Sequence, residues 1–438
     1  MSKNRLPVAI LGAGFAGLVA ADELRQRGVP VEVYEASPVI GGLARSFRDE
    51  EGFSLDFGAH FSTNRLAAAV GIGDRCRTVR YYGESVWFDD SVISYPFGLL
   101  RRPRFVLSAL RARIQQAGEP VTVADLLRQR YGHALSTELA EPLIEAWSGL
   151  PATRLASAVA DKLSTSIPMT IWLRLAGLAT RRAVAIGYCQ EQPESANVWH
   201  VYPEEGISTY VNHLASRLDD AIRLQTPVEG IVVEDGAVRT VVVNGEERPV
   251  AAAISTAPVN VLPKIVRGTD DLAHLASFRY RPMAFVNLRF QGRNLLPNVV
   301  TWTPGKEVPF FRLSEAPMSM PWLAPEGKTI ITADIGCEVG DEIWTADDQT
   351  LATRCLNALE LIVPSAASRY LGCKVLRTPI AYPVFDIEYE EQRRAFAKGS
   401  GIEGLLSIGR NGEFDHLLME DLYWRTLRRV RQLAAGLG

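Results

Sequence analysis

The twelve residues Val8-Ala-Ile-Leu-Gly-Ala-Gly-Phe-Ala-Gly-Leu-Val19 constrain this chain more than any other stretch. Pro7 to Leu11 is a short apolar run with β-branched residues, Gly12-Ala-Gly14 follows at once, and Leu18 to Arg27 has helical periodicity. The expected unit is strand, tight turn, helix. Gly12 permits the turn, Gly14 lets a phosphate reach the backbone, and Gly17 lets the helix close on the strand, with the helix N-terminus facing a pyrophosphate. Phe15 and Ala16 belong to the same cradle. A second strand, Val31-Glu-Val-Tyr34, ends on Glu35, followed by Ala36. An acid at that place accepts a ribose hydroxyl and repels a 2′-phosphate. The reading is an α/β chain with a Rossmann-like dinucleotide-binding domain.

Length and charge bound what surrounds this unit. At 438 residues the chain is long for one core and suits two intertwined domains. A net charge of −3 with 22% charged residues gives no electrostatic bias toward nucleic acid, so no nucleic-acid partner is expected. Cys76, Cys189, Cys337, Cys355 and Cys373 lack the spacing of a metal site or a disulfide framework. No metal is expected, and the cytoplasm is the expected compartment. The N-terminus does not read as a signal peptide, and no segment reads as a membrane span.

The residues after Glu35 narrow the cofactor. Gly41-Gly42-Leu43-Ala44-Arg45 resembles the second dinucleotide signature of flavoproteins related to amine oxidases and protoporphyrinogen oxidase. Its glycines permit close approach of a phosphate-bearing chain, and Arg45 suits a pyrophosphate. Leu55-Asp-Phe-Gly58-Ala59-His60-Phe61 resembles the segment that runs along the flavin ring in these proteins and in UDP-galactopyranose mutase. Ile222 to Ile231 resembles the next flavin-domain strand, where Val228 uses main-chain atoms on the adenine. Leu406-Ser-Ile-Gly409-Arg410 through Leu418-Met419-Glu420 resembles the closing flavin motif, with a helix starting near Met419 aimed at the flavin pyrimidine. With these segments in order, the chain resembles the amine oxidase, protoporphyrinogen oxidase and UDP-galactopyranose mutase superfamily, nearest its bacterial protoporphyrinogen-oxidase-like branch.

The resemblance implies FAD, a second mixed α+β substrate domain and a helical cap. The expected division is 1–85, 201–275 and 386–438 for the FAD domain, 86–200 for the cap region and 276–385 for the substrate sheet. A β-meander is expected at 230–233, 238–243 and 249–255, with turns at Asp235-Gly and Asn244-Gly. Acids at Asp341, Asp347 and Asp348 read as helix caps. His60, Trp147, Arg312, Tyr382 and His416 are the candidate substrate-facing residues. Trp147 sits in a Trp-Ser-Gly-Leu-Pro run, where the family has Trp-Gly-x-x-Pro. Arg312 lies between apolar neighbours and suits an anionic or hydroxyl-rich substrate. Asp161-Lys-Leu-Ser lacks the arginine that the mutase uses on phosphates, a place that Lys162 or an arginine from elsewhere in the chain could take. The stretch Thr170 to Arg182 reads as a cap helix or partner interface, with membrane contact as the less favoured alternative.

The implied activity is removal of a hydride from a small-molecule amine, alcohol or ring C–H bond to the flavin. An excess of arginine over lysine points toward a bacterial biosynthetic substrate such as a modified sugar, cyclitol or secondary metabolite. The alternatives are a mutase-like non-redox isomerase using reduced FAD, and a protein that holds FAD without turnover.

Overall fold

A computed structural model describes residues 5–58, 60–114, 118–160, 167–218 and 220–437. Ala59 and Lys162, both singled out above, lie outside the described residues. Five parallel strands form the nucleotide sheet in the order Ile222–Arg223, Val31–Tyr34, Val8–Leu11, Ala252–Ser255, Leu405–Ser407. Val8–Leu11 is central and buried along its whole length, because helices cover the sheet and leave no residue a solvent face. Helix Phe15–Gln26 starts earlier than its periodicity indicates, since Gly14 already serves as the N-cap. It packs on the C-terminal helix Met419–Gly436, so the two ends of the chain close one layer.

The expected meander is present as Val228–Glu234, Ala237–Val243 and Glu246–Pro249. Asp235-Gly236 and Asn244-Gly245 both turn with positive φ, as two-residue hairpins require. Its last strand corrects the sequence reading, because 249–255 is not one strand. The chain leaves the meander at Pro249, and Ala252–Ser255 crosses into the parallel sheet beside Val8–Leu11. Burial decides this: Ala252–Ser255 is wholly buried, whereas Glu246–Pro249 is a polar edge.

The second sheet has seven strands in the order Tyr370–Pro383, Tyr280–Gln291, Lys328–Gly336, Arg312–Ser314, Val300–Trp302, Glu84–Phe88, Ser91–Tyr95. It is mixed, because Val300–Trp302 runs parallel to Glu84–Phe88 while its other neighbour is antiparallel. Cap helices Pro103–Ile114, Val123–Tyr131 and Glu141–Ser148 follow the Ser91–Tyr95 edge. Between the last two, the α-turn His133–Leu135 passes into a π-helix at Ser136–Ala140. Asp341 and Asp347 cap helices through Trp344 N and Thr350 N, as expected. Among the described residues, no helix is long and apolar enough to cross a membrane.

A small third sheet ties the cap return to the nucleotide domain. Strand His200–Pro203 pairs with Ser62–Thr63 and Cys76–Thr78 and is fully buried. The His200 ring lies 4.3 Å from Tyr188 and 5.4 Å from Phe61, centroid to centroid. Burial lowers its pKa from 6.5 to about 4. The unfolded chain therefore binds a proton before the folded one does. The stability contributed by neutral His200 is complete above about pH 6.5 and is lost as the pH falls toward 4. Between pH 7 and 5 this group alone removes roughly 2 kcal/mol. His200→Phe should flatten that part of the denaturant-midpoint profile; an unchanged slope would show that His200 does not set it.

Candidate functional site

The glycine turn is the floor of the site. Gly12 has φ +105°, open to glycine, and a Cβ on Gly17 would collide with the Gly12 carbonyl. A Cβ on Gly14 would meet no atom within 4 Å, so the backbone is open on this side. Phe15 and Ala16 are buried beneath it. Glu35 binds both sides of the turn: its Oε2 accepts from Ala13 N at 2.8 Å, and its Oε1 from Ser37 N at 2.8 Å. Each oxygen retains a lone pair for a ribose hydroxyl. Ala36 is exposed beside it. Thr226 N donates to Glu35 O at 2.8 Å, which brings the start of strand Val228–Glu234 to the same edge.

Gly41-Gly42-Leu43-Ala44-Arg45 folds back over this floor. Gly41 N donates to Ala13 O at 2.9 Å, and Gly41 bridges Gly14 in parallel. Arg45 Nε donates to Gly42 O at 3.0 Å, and its guanidinium lies 5.5 Å and 5.7 Å from the ring centroids of Phe47 and Phe57, which contact each other edge to face. Gly409 packs on Ala16, with a Cβ there falling 2.9 Å from the alanine methyl. The C-terminal helix begins after Leu418, at Met419 as expected, with no side-chain cap. Helix Phe15–Gln26 is also uncapped by any side chain. Two free helix N-termini therefore converge on one region, which suits a ligand carrying phosphate and a charge-accepting ring. The Glu420 carboxylate accepts from Thr63 Oγ1 at 2.7 Å and pairs with Arg65, contacts that the local sequence does not announce.

The substrate side gathers residues from every later segment. Trp147, on the cap helix Glu141–Ser148, lies 5.0 Å from the Tyr382 ring and 4.6 Å from His416. His416 is buried and stacks on Phe385 at 4.6 Å, so it supports Trp147 from behind. Arg410 places its guanidinium over Tyr382 at 4.7 Å. Ser148, the residue interrupting the Trp-Gly pattern, receives a hydrogen bond at Oγ from Leu150 N at 3.3 Å.

Arg312 departs from the sequence reading. It points inward, next to Gly58, but it binds Asp334 through Nε at 2.7 Å and through Nη2. Asp334 is wholly buried and directly opposite Arg312 on the neighbouring strand. Burial opposes the Arg312 charge, yet the Asp334 carboxylate outweighs it and holds the pKa above the usual value. The cation assigned to substrate is thus already neutralised. Arg410 is different: it is half-buried, its Nε has no hydrogen-bond partner, and although Tyr382 and the Asp415 charge favour its cationic form, no carboxylate lies in ion-pairing contact with it among the described residues. Burial, reinforced by the Arg312 charge, lowers its pKa.

His60 lines a cleft that it shares with Asp56, Gly58, Asn287, Ser314 and Thr332. Its Nδ1 is 3.8 Å from Asp56 Oδ2. Burial pushes the imidazole below its usual value; Asp56 opposes this, while Arg410 and Arg312 reinforce it. Asp56 is raised by burial, although His60, Tyr202 and Ser46 all stabilise its charge. Sequence reasoning missed Asp56 and Asp334. The register that sets Asp334 opposite Arg312 becomes visible only once the strands are paired.

The model of the family described as flavin containing amine oxidoreductase matches residues 15–384. The chain is similar to zeta-carotene desaturase of Zea mays, 46% identical over 56 residues, which cover 13% of this chain and 10% of that protein. A solved structure of reduced UDP-galactopyranose mutase superposes with a TM-score of 0.81 at 17% identity, covering 100% of this chain and 95% of that one. Cyclohexylamine oxidase from Brevibacterium oxydans superposes at 0.69 and 15% identity, covering 99% and 98%. At these identities the two structures establish the shared fold.

Gly17→Val tests the floor. Overpacking against the Gly12 carbonyl should cost about 1–3 kcal/mol, and the flavin-to-protein absorbance ratio after purification should fall by about tenfold or more. A variant retaining its full flavin complement would show that this contact does not shape the cradle.

Proposed function

The chain belongs to the flavin-containing amine oxidoreductase family, and from that premise we propose that it oxidises a small molecule carrying an anionic or hydroxyl-rich group. FAD is its cofactor and, when bound, supplies the acceptor for a hydride. Gly12 to Gly17, Glu35, Gly41 to Arg45, Val228, Gly409 and Met419 are assigned to holding it. The uncharged space above Gly14, the two uncapped helix starts and Glu35 fit its phosphates and ribose.

The observation that carries the substrate reading is Arg410, a half-buried cation whose Nε lacks a hydrogen-bond partner and which has no carboxylate in ion-pairing contact among the described residues, Asp415 acting on it only from a distance. Leaving it unpaired is costly unless a ligand supplies the missing charge or hydrogen bonds. Trp147 and Tyr382 supply flat apolar faces that exclude water from the reacting C–H bond. Arg312, locked by Asp334, fixes the positive side of the cavity without binding substrate ionically.

His60 is assigned the proton. Its depressed pKa keeps the imidazole neutral at physiological pH, so it can accept a proton from a substrate N–H or O–H as the hydride leaves the adjacent carbon. Asp56 then lies across from the resulting imidazolium. The pathway expectation, a modified sugar, cyclitol or secondary metabolite, belongs to this same reading.

The test is anaerobic mixing of the purified holoprotein with carboxylated, phosphorylated and neutral amines, alcohols and cyclitols, following bleaching of the flavin band. Reduction by an anionic compound supports the reading. With such a substrate, Arg410→Gln should lower kcat/KM by about 10–100-fold, and His60→Asn should lower kcat by about 100-fold or more. Because neutral His60 is the active form, kcat/KM should fall only as the pH drops below the usual histidine range. Nucleotide-sugar isomerisation by reduced protein, without net oxidation, would overturn the proposal.

A further inference from the structure

Large apolar side chains in the cap are exposed along two helices and the turn beside them. On helix Pro103–Ile114, Leu107, Leu110 and Ile114 form a stripe at helical spacing, with Ile114 83% exposed. On helix Ile167–Thr180, Trp172, Leu175 and Leu178 form a second stripe, 57–78% exposed. The turn Phe97–Arg101 links them: the Arg174 guanidinium lies 5.2 Å from the Phe97 ring centroid, and the exposed Leu100 leads into helix Pro103–Ile114. The other side of each helix is used normally, since Phe105 and Leu173 are buried. The outward stripes are therefore not misplaced core.

Charge selects the occupant. Residues 95–114 and 167–182 contain eight arginines and no Asp or Glu, in a chain whose net charge is −3. Arg102 and Arg104 are partly neutralised through Asp89 and Glu138, but no ion pair is seen for Arg101, Arg111, Arg113 or Arg181 among the described residues. Two copies meeting through this face would bring like charges together, which disfavours self-association. A basic rim around protruding Trp and Leu is the pattern of a surface that lies in the headgroup layer of an anionic bilayer.

We propose that this cap face docks the protein peripherally on an anionic lipid surface. The indole of Trp172 and the leucines enter the headgroup boundary, while the arginines pair with lipid phosphates. This assignment is independent of which substrate is oxidised.

The experiment is co-sedimentation of the holoprotein with vesicles of phosphatidylcholine alone and of phosphatidylcholine mixed equally with phosphatidylglycerol. Binding should appear with the mixed vesicles, be at least about tenfold weaker with neutral ones, and weaken as salt rises. Leu175→Glu combined with Leu178→Glu, both at exposed positions, should abolish it while leaving flavin content and melting temperature unchanged. A single-site control, Arg111→Glu, should weaken binding without abolishing it. Absence of binding to mixed vesicles, equal binding to neutral ones, or a concentration-dependent dimer that the double variant dissolves would overturn the proposal.

Discussion

The contact between Gly17 and the Gly12 carbonyl is the constraint on which the rest of the molecule depends. It lets helix Phe15–Gln26 lie against strand Val8–Leu11, and four distant segments then close on that junction. Glu35 reaches Ala13 N, Gly41 reaches Ala13 O, Thr256 donates to Leu11 O at 2.9 Å, and Gly409 rests on Ala16. Any side chain at position 17 separates these partners together. The turn is thus a hub for packing as well as a cradle for phosphate, and cofactor binding and folding draw on the same atoms.

The substrate side is organised by unequal treatment of two half-buried arginines. Arg312 and Asp334 compensate each other, with the carboxylate buried behind the sheet. Arg410 is held instead against the face of Tyr382, an interaction that orients a cation without cancelling its charge. The result is one guanidinium left available. Burial is what chiefly keeps His60 neutral; Asp56 opposes it, and the charges of Arg410 and Arg312 reinforce it. On the proposed reading, substrate recognition and proton acceptance are coupled: an anion bound at Arg410 would offset the arginine charges and raise the basicity of His60.

Cofactor-side elements were the more legible ones in the sequence. Gly12, Gly17, Glu35 and the Met419 helix start act through backbone geometry and short-range spacing, which a linear reading captures. The same holds for the caps at Asp341 and Asp347 and the hairpin turns at Asn244-Gly and Asp235-Gly. The crossing of Ala252–Ser255 into the parallel sheet was hidden, since its apolar run continues naturally from the meander and only sheet topology separates the two. Arg312 was recognised as inward-facing, but its neutralisation was not, because Asp334 lies 22 residues away and meets it only through strand register.

The same distinction explains why the substrate remains the less readable half. The segments proposed to hold FAD would act largely through main chain, so they rely on glycines and helix ends that local spacing reveals. The opposite wall is made of side chains: Trp147 from the cap, Tyr382 from the end of the long edge strand, and Arg410 and His416 from the last flavin segment. Each is an ordinary residue in its own neighbourhood, and none specifies chemistry alone. Their meaning arises from the packing of the cap helix against the sheet, which brings Trp147 onto Tyr382 and His416. A change in cap sequence can therefore redirect the substrate without disturbing the cradle, which is how one nucleotide fold accommodates many oxidations.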